Sequence, residues 1–308
     1  MPKAPPIQRI AIIGFGEAGS IFGNDFAHQG IQVSTFDILF HSRRHRQQML
    51  AKARSCGVTP AESLRDCLIE AELVISAVTA SATLQVAKDA GRLLGPGQIL
   101  VDINSVSPET KRKCRKHVER NQARFVEAAV MAPIPGLRLR VPMLLGGPHA
   151  FETAEQLRAV GVNVKHVSDR IGVASAVKMC RSVLIKGLEA LAVECLFAAR
   201  QYGAEKAVLD SVAATYPQMG WTEELLDYLI GRVAEHGQRR AAEMREVARA
   251  LRAVGIEPAM ALATARRQER LVVEMARRKL TYSKPFSWRE LADALGCNSP
   301  RRQAAKEF

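Results

Sequence analysis

A doubly wound α/β sheet followed by an all-helical half is the architecture this sequence predicts, and three observations predict it. An apolar run, Ile10-Ala11-Ile12-Ile13, leads directly into Gly14-Phe15-Gly16-Glu17-Ala18-Gly19. Short apolar segments then alternate with amphipathic ones to about residue 167, the rhythm of parallel strands joined by crossover helices. After Asp169 that rhythm stops, and long stretches rich in Ala, Leu, Arg and Glu carry helical periodicity. The change of period alone sets the expected boundary: a sheet domain over 1–168 and an all-helical domain over 169–308.

Strands are expected at 9–13, 32–36, 73–77, 99–103, 124–129, 142–146 and 163–166, where β-branched and apolar residues cluster. Thr59-Pro60-Ala61-Glu62 reads as a helix-capping box with proline at the first helical position, and Pro108 opens a basic helix. In the second half, helices are expected over 173–201, 223–253 and 259–279. Ser287-Trp288-Arg289-Glu290 caps a last short helix, and 300–308 reads as a fraying basic tail.

The first strand and its glycines form a dinucleotide-binding fingerprint, which makes the sheet domain Rossmann-type. Gly14 allows the tight turn out of the strand, Gly16 lets a pyrophosphate approach the backbone, and Gly19 lets the helix lie close to the sheet. Phe15, Glu17 and Ala18 complete the loop, whose helix N-terminus favours phosphate. Asp37, after Val33-Ser34-Thr35-Phe36, stands near the roughly 20-residue spacing at which a carboxylate grips a ribose hydroxyl. Its charge would repel a 2'-phosphate and favours NAD. Arg43, Arg44 and Arg46 follow closely enough to make NADP the alternative, or else they begin a solvated helix.

Composition narrows the class further. The 308 residues can bury a sizeable core, and 47% hydrophobic content suits a globular chain. No apolar run approaches the roughly 20 residues a bilayer needs, and Met1-Pro2-Lys3-Ala4-Pro5-Pro6 lacks a signal peptide's apolar core, so a soluble, cytoplasmic protein is expected. Cys56, Cys67, Cys114, Cys180, Cys195 and Cys297 form no CxxC pair; they are expected to be thiols, mostly buried, and no metal is expected. The net charge of +13 is dispersed over 41–46, 111–116, 239–240, 266–267 and 301–302 without aromatic interleaving. Solvated helix faces and attraction for an anionic cofactor and substrate therefore explain it better than nucleic acid.

Two further segments bear on chemistry. Ile171-Gly172-Val173-Ala174-Ser175-Ala176-Val177-Lys178-Met179-Cys180 starts with small residues that permit close approach and then presents Lys178. Asp102-Ile103-Asn104-Ser105-Val106-Ser107-Pro108 follows an apolar run. With the glycine loop, Asp25-Phe26 and Gly30, these segments resemble the β-hydroxyacid dehydrogenase superfamily, which includes 3-hydroxyisobutyrate and 6-phosphogluconate dehydrogenases. The nearest likeness is to its bacterial branch of phosphogluconate-dehydrogenase-like proteins. The N-terminal pattern GLGxMGxxMAxNLxxxG is matched in spacing, with Ala18 and Asp25 in place of the usual Met and Asn. In that branch the lysine motif and the stretch from His236 to Met244 are familiar.

The resemblance implies an NAD(P)-dependent dehydrogenase acting on a hydroxy acid, a homodimer built mainly through helical domains, and Lys178 as general acid/base. Partial burial would suit that role by lowering the lysine's pKa; the bland reading is a solvated helix lysine. Val78-Thr79-Ala80 would touch the cofactor, and Asn104 and Ser105 would lie near nicotinamide and substrate. Ser182, one turn beyond Lys178, stands where the family has a substrate-orienting Asn. Glu127-Ala128-Ala129-Val130-Met131-Ala132-Pro133 departs from the family's DAPVSGG, whose serine and glycines cradle a substrate carboxylate. Met131 would instead present an apolar substrate wall, or pack the core. That departure keeps an imine or bulky-carbonyl reductase as a second reading, and the high charge keeps a non-catalytic dinucleotide-sensing or nucleic-acid-associated protein as a third.

Overall fold

The computed structural model describes residues 7–220 and 222–297. The expected start (1–6), the tail at 300–308 and the basic pair 301–302 lie outside these residues. The chain divides into two compact units, 1–178 and 179–308. The change of sequence period falls ten residues earlier, because the start of the first long helix is fastened to the sheet, as shown below.

The first unit is an α/β sheet. Its strands are β1 (Arg9–Ile13), β2 (Gln32–Phe36), β3 (Thr59–Pro60), β4 (Leu73–Ser76), β5 (Ile99–Asp102), β6 (Arg124–Val130), β7 (Met143–Gly146) and β8 (Val164–Ser168). They line up as β3-β2-β1-β4-β5-β6-β7-β8. The crossover helices are α1 (Glu17–His28), α2 (Arg46–Ser55), α3 (Leu64–Leu68), α4 (Thr83–Gly91), α5 (Pro108–Val118) and α6 (Ala150–Ala159). Strand order reverses direction between β1 and β4, which opens the crevice where doubly wound sheets bind ligands.

Two local expectations are corrected. Thr59 and Pro60 are not a helix cap: they form the edge strand β3, parallel to β2, where proline's missing N–H costs no ladder bond. The helix starts later, with Ser63 Oγ accepting from Asp66 N at 3.1 Å. The sheet is also not wholly parallel, since β6 and β7 pair antiparallel. Residues 131–142 between them carry only a 3-10 turn at Arg138–Arg140, too little for a crossover.

Alternating strand residues feed two cores. Ile10, Ile12, Val101 and Val126 face one side with Phe15, Phe22 and Phe26. Ala11, Ile13, Leu100 and Phe125 face the other, under α4 and α5. Burial on both faces explains why the strands read as near-continuous apolar runs. On the second face Lys111, expected in a solvated basic run, is fully buried. Its Nζ donates to Asp102 O at 2.7 Å and lies 3.2 Å from Asp102 Oδ2.

The second unit holds most of α7 (Val173–Gln201), then α8 (Glu205–Thr215), α9 (Glu223–Arg252), α10 (Ala259–Arg277) and α11 (Trp288–Ala294). Ser287 Oγ caps α11 through Glu290 N. Trp288 is wholly buried among Val193, Phe197, Ile230 and Leu271. Arg240, also expected on a solvated face, is interior: it forms a two-bonded ion pair with buried Glu189, its Nε donating at 3.0 Å. Lys186 pairs with Glu243 nearby; burial pushes the Lys186 ammonium below the usual lysine range, against the pull of Glu243.

The thiols are less buried than expected. Cys67 and Cys114 are buried, Cys56 and Cys297 half-buried, and Cys180 and Cys195 exposed on α7. Burial pushes the Cys67 thiol up to about 11. No helix among the described residues is long and apolar enough to cross a membrane.

The Lys111–Asp102 pair gives a first prediction. Removing one partner of a buried ion pair leaves the other uncompensated, at a cost of about 3–5 kcal/mol. Lys111→Met is therefore expected to lower the denaturation midpoint of the first unit sharply. Denaturant melts followed by circular dichroism measure it; an unchanged midpoint would show that the pair contributes nothing.

Candidate cofactor and proton-transfer site

The glycine loop sits at the C-terminal end of β1. Gly14 adopts φ +92°, and a Cβ there would lie 2.5 Å from Ala77 O. At Gly19 a Cβ would come within 2.0 Å of Gly14 O, so only glycine lets α1 lie this close to the strand. Gly16 differs. It is exposed, and a Cβ there would meet nothing within 4 Å. It is also the N-cap of α1 and brings no capping side chain. The first turn of α1 thus opens onto free space, as phosphate binding requires. Glu17 is exposed there, Ala18 is half-buried, and Phe15 is buried beneath.

Backbone and side-chain bonds tie the neighbouring strand ends into one rim. Gly14 N donates to Phe36 O at 2.9 Å, and Ala77 N to Ile13 O at 2.8 Å. Half-buried Asp37 accepts from Phe15 N at 2.7 Å through Oδ2 and from Leu39 N at 2.9 Å through Oδ1. Each carboxylate oxygen keeps acceptor capacity beyond its one bond, so a ribose hydroxyl remains compatible with this geometry. Arg43, Arg44 and Arg46 are exposed beyond it.

Asn104 is buried and braces the next two strand ends. Its Oδ1 accepts from Val78 N at 2.7 Å, and its Nδ2 donates to Ser76 Oγ at 3.0 Å. This amide therefore shapes the 78–79 loop, while half-buried Ser105 and exposed Thr79 stand nearer solvent. Met131, half-exposed just past β6, donates its N–H to Pro142 O at 2.9 Å. Asp25, which replaces the Asn of the N-terminal pattern, accepts from Arg138 Nε at 2.8 Å and ties the segment after Met131 to α1.

Sequence reasoning missed two residues. Lys52 on α2 donates to Phe15 O at 3.2 Å and Gly16 O at 3.0 Å, which puts a cation beside the glycine loop. Nothing in its local sequence marks it. Glu127 on β6 is fully buried. Its Oε1 accepts from Gly172 N at 2.6 Å and Ala174 N at 3.0 Å, and its Oε2 from Ser175 Oγ at 2.7 Å. An acid inside a strand of apolar residues, in the position of the family's Asp, was the available signal.

This carboxylate caps the start of α7, favoured by the positive end of the helix dipole. Gly172 makes the approach possible: it takes φ +105°, and a Cβ would lie 3.1 Å from Pro108 Cβ. One turn beyond Ser175 comes Lys178, half-buried, the last residue of the first unit. Ser182, half-buried, belongs to the second unit.

Known proteins match at both levels. Residues 9–167 match the NAD binding domain of 6-phosphogluconate dehydrogenase, and residues 199–271 match a domain of unknown function. The chain is 26% identical over 228 residues to 3-hydroxyisobutyrate dehydrogenase of Pseudomonas aeruginosa, covering 70% of this chain and 72% of that protein. A conserved hypothetical protein from Sinorhizobium meliloti 1021 superposes with TM-score 0.79 at 33% identity, covering 94% and 96%. Mycobacterium tuberculosis 3-hydroxyisobutyrate dehydrogenase, solved with L-serine, gives TM-score 0.73 at 15% identity over 94% and 98%. A reductive aminase from Aspergillus terreus, solved with NADPH, shares the fold at TM-score 0.56 and 16% identity over 95% and 99%.

Glu127→Ala would strand two buried N–H groups, each costing about 1–3 kcal/mol, whereas Glu127→Gln keeps an acceptor for them. Thermal melts should place the alanine variant well below the glutamine one. Equal melting of the two would remove the carboxylate clasp as the anchor of α7.

The glycines make a second contrast. Gly19→Val should disrupt folding by collision with Gly14, whereas Gly16→Val should fold normally and bind NADH at least about tenfold more weakly by filling the phosphate approach. Circular dichroism and NADH fluorescence titration separate the two effects. Unchanged affinity in Gly16→Val would take the cofactor away from this loop.

Proposed function

Because the chain belongs to the β-hydroxyacid dehydrogenase superfamily, with the NAD binding domain of 6-phosphogluconate dehydrogenase, we propose that it is a nicotinamide-dependent oxidoreductase interconverting a hydroxyl and a carbonyl on a hydroxy acid or related alcohol. The observation that carries this reading is the open notch at Gly16, on an uncapped helix N-terminus beside Asp37. Gly14 to Gly19 would hold the pyrophosphate, Lys52 adding a compensating charge opposite Glu17. Asp37 would take the adenosine ribose, which favours NAD over NADP. Val78, Thr79 and Asn104 would form the rim toward the nicotinamide. When bound, that ring supplies or takes the hydride.

Lys178 is the proposed acid/base. Its Nζ would accept the proton of the substrate hydroxyl in oxidation and return it to the carbonyl oxygen in reduction. The Glu127 clasp supports this role, since it fixes the helical turn before Lys178 to the strand beside β5. Ser105 and Ser182 would orient the substrate. A homodimer is also proposed: Val177, Leu184 and Leu191 are exposed at heptad spacing on α7, an apolar stripe that a second copy would cover.

A second reading, reduction of an imine or a bulkier carbonyl, is favoured by Met131. A half-exposed thioether occupies the position where the small hydroxy-acid enzymes of the family carry a serine. An apolar wall there contributes to binding of an apolar substituent and gives a carboxylate no donor.

The test combines one variant for chemistry and one for specificity. Lys178→Ala should bind NADH normally and lose about a hundredfold to ten-thousandfold in turnover. Met131→Ser should shift preference from aryl- or long-alkyl-substituted substrates toward glycerate-sized ones by about tenfold or more. Full turnover by Lys178→Ala would end the acid/base assignment. A wild type that prefers the smallest substrates, unaffected by Met131→Ser, would end the apolar-wall reading.

A further inference from the structure

The helical unit carries a cavity of about 500 Å³ that belongs to neither the glycine loop nor Lys178. Arg267, Arg270 and Arg277 reach it from one face of α10 and Arg278 from the residue that ends that helix, and Phe197 and Leu295 give it an apolar floor. Its acids are Glu194 and Glu274, so the lining is cationic in excess. Glu274 is already engaged by Arg270 Nε at 2.7 Å. Arg278 donates Nη1 to Ala294 O at 3.0 Å, which fixes its guanidinium against the C-terminal end of α11.

The decisive atom is Arg267 Nε. It is buried and meets no hydrogen-bond partner among the described residues. A guanidinium N–H kept from water without an acceptor is unfavourable, and such groups call for a missing partner. Around Cys297, on the cavity wall, the charges converge. Burial and Glu274 push its thiol up while a hydrogen bond from Gln201 and the guanidinium groups of Arg267 and Arg278 pull it down, so both cations act on this one wall of the cavity. Two guanidinium forks over an apolar floor suit a dianion with tetrahedral oxygens and a carbon skeleton. The volume falls in the range of small-ligand pockets.

We propose that this cavity is a second ligand site, for a small phosphorylated organic molecule whose phosphate is held by Arg267 and Arg278. It is independent of the cofactor reading, because every lining residue lies in the helical unit.

Cys297 reports on the site directly. Wild-type protein is labelled with N-ethylmaleimide with and without phenyl phosphate, and each thiol is followed by peptide mass spectrometry. At about ten times its dissociation constant, a bound ligand should slow labelling of Cys297 by about tenfold. The exposed Cys180 and Cys195 should react at unchanged rates. Arg267→Gln and Arg278→Gln should each weaken the protection, and Arg267→Lys should keep part of it. Inorganic phosphate alone should protect less, lacking a group for the apolar floor. Protection that is absent in wild type, or that persists in the folded Arg267→Gln and Arg278→Gln variants, overturns the proposal. Slowing of all three cysteines alike would do the same, since it would report a general effect of the anion.

Discussion

One buried carboxylate fastens the first turn of α7 to the sheet. Glu127 accepts three hydrogen bonds from Gly172, Ala174 and Ser175 and is fully enclosed. A buried acid in that position is tolerable because its donors are preorganised at a helix N-terminus. The consequence runs in both directions. The helix start is held to β6, and β6 is held beside β5, whose last residue Asp102 is itself paired with buried Lys111. Two interior carboxylates, register partners on adjacent strands, thus anchor the elements that carry Asn104 and Lys178.

The rim of the proposed site depends on a second kind of economy. Asn104 looks in sequence like a group waiting for a ligand, yet its amide is committed to Val78 N and Ser76 Oγ. It can still govern binding by setting the shape of the loop it bonds. Asp37 is similar: it caps the turn at Leu39 and holds Phe15 N, so its carboxylate is oriented before any ribose arrives. Preorganisation of this sort lowers the cost of ordering the site on binding.

Most of this fold was legible because its signals are local. The glycine loop follows from steric demands at three residues, and five of the seven expected strands begin at the residue where the structure begins them. Even the limits of α7, 173–201, follow from periodicity. The misreadings share a cause, which is tertiary context. Thr59-Pro60 has the composition of a cap, but β2 offered an unpaired edge. Lys111 and Arg240 sit in basic runs that look solvated, and only the facing Asp102 and Glu189 make their burial tolerable. Lys52 and Glu127 act across 36 and 45 residues of chain, distances over which no sequence period operates.

Substrate identity is the least legible part, and the reason lies in the loop after β6. The family uses small residues there, because backbone N–H groups can approach a carboxylate only where side chains are absent. Here Met131 and Pro133 replace them, and Asp25 with Arg138 holds the following segment against α1. Proline has no N–H to offer, and the Met131 N–H is already given to Pro142 O. Neither residue can therefore rebuild the cradle by a small backbone shift. The departure is thus chemical rather than a matter of side-chain size. The backbone of Met131 and Pro133 therefore offers a substrate carboxylate no donor in this loop.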